Sequence, residues 1–150
     1  MARAFDETDY QNFLHRGNCQ HCDLSSANLG YRNMEKWSLL YTNLSGSNMV
    51  GANLRQSDLT AADLTGAYLL VADLRDTNLT KTTLMGADLY GAHLRDANLT
   101  GDNLKRADLR GVDLRGATLI KADLSNARMA GATLCDTTMP DGTVDNSSCN

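Results

Sequence analysis

From residue 24 to residue 139 every fifth residue is Leu or Met, in 24 consecutive positions without a break. The centres begin Leu24, Leu29, Met34, Leu39 and end Leu124, Met129, Leu134, Met139. A period of five matches neither a helix (about 3.6) nor a flat strand (about 2). It marks a repeat architecture, and such self-similarity governs the reading of the rest of the chain. Two residues before the centre the side chain is small in 21 of 24 repeats, and Ala fills 13 of those positions. One residue before the centre stands Asp or Asn in 16 of 24. A small and a large apolar residue two apart point the same way from an extended segment, and the polar residues around them face water. Gly, frequent at the end of the unit, suits a corner.

Units such as Ala52-Asn53-Leu54-Arg55-Gln56 and Ala62-Asp63-Leu64-Thr65-Gly66 carry the pattern in full. In them the chain resembles the pentapeptide-repeat family. That resemblance implies an all-β fold, a right-handed four-sided parallel β-helix with one pentapeptide per side and four per coil. About six coils stacked at the sheet spacing make a rod of roughly 29 Å. The expected organisation is an N-terminal capping helix and Cys-X-X-Cys entry over 1–22, the β-helix over 23–139, and a turn with a polar tail over 140–150. Each buried Leu stabilises by about 1.5–3 kcal/mol, so the stacked centres supply an ample core.

An open β-helix exposes sheet edges at both ends, and these need covers. Residues 6–16 read as a short helix laid over the first coil. Thr8 and Gln11 have capping-box spacing, Tyr10, Phe13 and Leu14 share a face, and Gly17 follows as a stop. Cys19 then falls on the register of centres, and Cys22 on the small inward position. The Cys-X-X-Cys reads as two small buried residues, as a disulfide or redox pair, or as zinc ligands with His15 or His21. The zinc reading lacks a second such pair. At the far end Pro140-Asp141-Gly142 makes a turn, and Cys149 stands next to last. In a rod of the implied kind, Cys19 and Cys22 lie a full length from Cys135 and Cys149, so any disulfide is within an end. The Cys-X-X-Cys-Asp-Leu start and Met-Pro-Asp-Gly finish are similar to those of cyanobacterial and chloroplast-lumen relatives.

Residues 20 apart stack on one face of such a coil, which turns the sequence into a surface map. One column reads Glu35, Arg55, Arg75, Arg95, Arg115, beside Asn53, Asp73, His93, Asp113. Like charges one strand apart repel unless paired, so this is a self-satisfied lattice or a stripe for an acidic partner. The preceding face places Val50, Tyr68, Leu70, Val71 and Tyr90 outward, with Tyr31 near its base. Such a patch marks an interface or stabilises its own sheet. Three inward positions break the rule of small residues. Arg32 and Trp37 imply an outward bulge over 31–41 or a packing adjustment under the lid. Asp102 must turn outward or find a hydrogen bond near Thr82.

Net charge is −4, too mild to indicate a nucleic-acid or membrane surface. No run of 18 apolar residues occurs, so nothing inserts in a membrane as a helix. No signal sequence is visible at the N-terminus, which favours the cytoplasm; a thylakoid lumen or periplasm is the alternative if a leader has been removed. No Ser-His-Asp set, G-x-G-x-x-G or H-E-x-x-H occurs, and His15, His21 and His93 are scattered. The expectation is a non-enzymatic module without catalytic residues, cofactor or metal. It presents flat faces to an unknown protein partner or to a second copy of itself. The alternative is a DNA-mimicking binder of DNA gyrase, as some relatives are. Against it, residues 23–139 hold 13 acids and 12 bases, whereas a duplex mimic needs a dense negative surface.

Overall fold

A computed structural model describes residues 5–150. Its backbone is organised by twenty isolated parallel bridges, running unbroken from Asp23–Asn43 to Thr118–Thr138. Each joins positions 20 residues apart, and one occurs every five residues, so four pentapeptides separate stacked neighbours. Extended strands in the usual sense are almost missing, because every segment turns a corner after two or three residues. Only β1 (Thr137–Thr138) and β2 (Val144–Asp145) form a conventional ladder among the described residues, and they pair antiparallel.

One repeat shows how the sequence dictates the coil. The Leu24 N–H donates to Asn43 O of the following coil, and Asn43 N–H returns a bond to Cys22 O. The Ala27 N–H then closes a turn onto Leu24 O (3.1 Å). The third residue of each turn has positive φ, as at Ser26 and Gly46, which explains the Gly at this position. The Asp or Asn before the centre has its own task. In all 16 repeats that carry one, its Oδ1 accepts the N–H two residues on, from Asp23–Ser25 to Asp123–Ser125. That N–H points away from the ladder, and a short acceptor side chain satisfies it locally.

Inside, Leu and Met centres alternate with Ala, fully buried from Leu24 to Leu119. Where Ser or Thr replaces Ala, its hydroxyl donates to a corner carbonyl, as Ser47 does to Leu44 O (2.7 Å) and Thr77 to Leu54 O (2.9 Å). These groups are buried without being orphaned.

The helix α1 (Glu7–Arg16) covers the first coil. Its N-cap is Asp6, which accepts from Asp9 N–H (2.9 Å), rather than Thr8 of the expected capping box. The Asp9 carboxylate accepts from Asp23 N–H (2.8 Å), tying the lid to the first bridge residue. Gly17 ends the helix at φ 72, with Trp37 packed where a Cβ would project. Phe13 is fully buried and meets Trp37 edge-on at 5.1 Å. The segment 31–41 therefore does not bulge: the bridges Asn33–Asn53 and Ser38–Asp58 keep the register. Trp37 is half-buried beneath the lid, and Arg32 sits 5.8 Å over the Phe13 ring. Tyr31 and Tyr41 are exposed.

Disulfides join Cys19 to Cys22 and Cys135 to Cys149. The first sits under α1, and the second fastens the tail that carries β2 onto the last repeats. Among the described residues no cluster of His, Cys, Asp or Glu suits a metal ion. Nor is any helix there long and apolar enough to cross a membrane.

Candidate functional site

The 20-residue offset brings the expected surface residues together in two adjoining strips. On one face the outward position after the centre carries Val50, Leu70, Tyr90 and Arg110 in sequence down the coils. Tyr68, Val71 and Tyr90 are about half exposed (52%, 51% and 49%), whereas Val50 and Leu70 are half-buried between them. Tyr31, at 79%, lies against the backbone of Gly51 and leaves no room for a side chain there. Val71 is the only β-branched residue among the described positive-φ positions, at φ 50. A branched Cβ is strained in that region, so an apolar group is held at this corner against local preference.

Arg110 borders the strip. Its guanidinium lies 5.5 Å from the Tyr90 ring centroid and forks onto Asp108, with Nε–Oδ1 2.8 Å and Nη2–Oδ2 2.6 Å. The same fork recurs at the other two Asp-Leu-Arg tripeptides, Asp73–Arg75 and Asp113–Arg115. An Asp and an Arg two apart in this corner geometry thus form a bidentate clamp. The clamps hold the carboxyls of Asp73, Asp108 and Asp113 below the usual carboxylate range, chiefly through the arginine hydrogen bonds. The sequence reading missed Arg110; the Asp-Leu-Arg tripeptide is the signal that finds it.

Around the corner, the arginine column is mostly paired. Arg75 and Arg115 are clamped, and Arg55 reaches Asp76 at 3.4 Å. Arg95 differs because His93 stands where its Asp would be. Its ion pair is to Asp96, 3.4 Å from Nε, and among the described residues its side chain makes no hydrogen bond, while its carbonyl accepts from Asp76 N–H in the ladder. A depression of about 310 Å³ opens here, lined by Arg75, His93, Arg95, Asp113 and Arg115.

The buried Asp102 lies apart from both strips. Its Oδ1 accepts from Thr82 N–H (2.8 Å), the neighbour anticipated from the sequence, while Oδ2 has no partner. Burial pushes its pKa up from 3.8 to about 8. Burial thus favours its protonated form at neutral pH, and the group lies away from the surface. Without it, 12 acids face 12 bases over 23–139.

The sequence profile described as pentapeptide repeats matches in eight copies, over residues 38–69, 72–101 and 103–139. No curated protein matches the chain. Among solved structures, the pentapeptide repeat protein Rfr23 from the cyanobacterium Cyanothece 51142 is 31% identical over 83% of this chain and 92% of its own, with a TM-score of 0.47. The pentapeptide repeat protein alr5209 from Nostoc Pcc 7120 is 34% identical over 80% and 90%, with a TM-score of 0.41. QnrB1, a plasmid-mediated fluoroquinolone resistance protein, shares the fold at a TM-score of 0.51 and 17% identity, over 81% of this chain and 60% of that one. On the unbroken register and the profile match, the chain belongs to the pentapeptide-repeat family.

Proposed function

We propose that this chain is a non-enzymatic docking rod of about six right-handed coils, using the edge between its apolar strip and its arginine column. The observation that carries this is Val71, an exposed apolar group at a strained corner amid Tyr68, Leu70 and Tyr90. Strain retained at an exposed position points to use, since Gly at the same corner relieves it. Aromatic and Arg residues are those enriched at protein interfaces. The occupant is a protein with an apolar centre and carboxylates at its rim, complementary to Arg55 and Arg95, whose ion pairs at 3.4 Å are looser than the bidentate clamps. A second copy is the poorer fit, because a two-fold pairing brings like arginines together.

The test compares wild type with the double variant Leu70→Ser, Tyr90→Ser in crosslinked recovery of partners and in sedimentation. Recovery of a partner by wild type and its loss in the variant supports this edge. Equal recovery by both reduces the strip to sheet packing, and a wild-type dimer abolished by the variant replaces the heterologous partner with a second copy. The gyrase reading gains little support from a surface whose acids and bases balance. Micromolar protein should leave gyrase supercoiling unchanged; inhibition would reverse this ranking.

A further inference from the structure

We infer that the depression at His93 and Arg95 is a binding site for a carboxylate group. In the three Asp-Leu-Arg repeats one carboxylate collects three donors of the arginine two residues on: its backbone N–H, Nε and Nη2. At Asp113 these distances are 3.2, 2.8 and 2.6 Å. In His93-Leu94-Arg95 the arginine stands at the same place in the repeat, and its backbone N–H, Nε and Nη2 have no hydrogen-bond acceptor among the described residues. Imidazole cannot supply a planar pair of oxygens, so the fork of Arg95 is open to the depression. Arg75 and Arg115 flank it, one coil away on either side, already neutralised by Asp73 and Asp113. Asp113, which also lines the depression, has its carboxylate held in the clamp by Arg115. Among the described residues Asp96, at 3.4 Å from Nε and half exposed, is the one competitor paired to Arg95. A carboxylate from outside completes the clamp that the sequence leaves unfinished.

The site exists on the isolated chain and depends on the docking reading only for its source: a free small carboxylate, or an acidic side chain on a partner. Acetate and a blocked Gly-Glu-Gly peptide distinguish these when titrated at constant ionic strength against chloride. The readouts are the NMR shifts of Arg95 Nε–H and the His93 ring. Saturable shifts with acetate, absent with chloride, are expected at Arg95 and His93, while clamped Arg75 and Arg115 stay still. His93→Asp rebuilds the clamp within the chain and should weaken the response at least about tenfold, the worth of a charge-assisted hydrogen bond. The peptide saturating well below acetate assigns the site to protein carboxylates, and equal saturation assigns it to free ions. Equal shifts with chloride, no saturation with acetate, or a full response from His93→Asp would each overturn the site. The Leu70→Ser, Tyr90→Ser variant should keep the acetate response, so loss of docking and loss of this site are read separately.

Discussion

The first coil and the middle coils break the same rule with opposite consequences. Under α1, Arg32 and Trp37 occupy inward positions made for Ala, and the register is undisturbed. Between two coils, Asp102 occupies such a position and is driven neutral. The difference lies in what covers each site. The lid offers an aromatic face at variable depth, whereas a neighbouring coil offers only backbone at the fixed sheet spacing. A large or charged side chain under the lid can lean onto Phe13. One between coils must shed its charge or unfold its surroundings.

The sharpest test puts a charge where no lid can help. Leu79→Asp should cost more than about 4 kcal/mol by chemical denaturation, with loss of the β and turn signal in circular dichroism. Next, Phe13→Ala removes the feature that distinguishes the first coil. It should cost about 3–5 kcal/mol and expose Trp37, read as a red shift in the emission of the only Trp. The middle coils should outlast the lid in hydrogen exchange. If they melt together, the lid is part of one cooperative unit and the comparison weakens.

Asp102→Ala sharpens the other side. Its folded pKa, about 8, lies above the ordinary 3.8. Its stabilising contribution is therefore complete below the ordinary value and lost as pH rises towards 8. Replacement by the commonest inward residue should add about 1–3 kcal/mol at pH 8 and flatten the pH dependence between 4 and 8. The clamped Asp73, Asp108 and Asp113 work in the opposite sense: their contribution is present at neutral pH and lost on acidification. Being partly exposed, they contribute little. At the surface, Val71→Gly should raise stability by about 1 kcal/mol while impairing docking, since the strain goes and the apolar group with it. Thr80→Asp, one residue from Leu79 and outward, should change stability by no more than about 0.5 kcal/mol.

Much of this was legible in the sequence because a core with a fixed period must repeat its inward residues. Leu79 inward and Thr80 outward follow from register alone, and so does the column of Val50, Leu70 and Tyr90. What the period does not encode is the surroundings of a position. That Arg32 and Trp37 lie inward depends on how α1 crosses the coil, a tertiary fact. Asp6 rather than Thr8 is the cap, and the Asp9 carboxylate in the same turn is anchored on Asp23, a contact 14 residues away. The function of the Asp/Asn position needed coordinates too. Once it is known, His93 stands out: of the eight repeats without Asp or Asn, it is the one followed two residues on by Arg.

Period five governs the core, while period twenty governs the face. Loss or gain of one pentapeptide leaves every Leu pointing inward, yet rotates all that follows by a quarter turn against all that precedes. Replication slippage in a repetitive coding sequence can therefore reassemble the exterior of such a protein without a folding penalty. Arginines would be dealt onto one side and tyrosines onto another. Only slips of four units preserve the columns, so recognition here is vulnerable to a class of mutation that stability does not register.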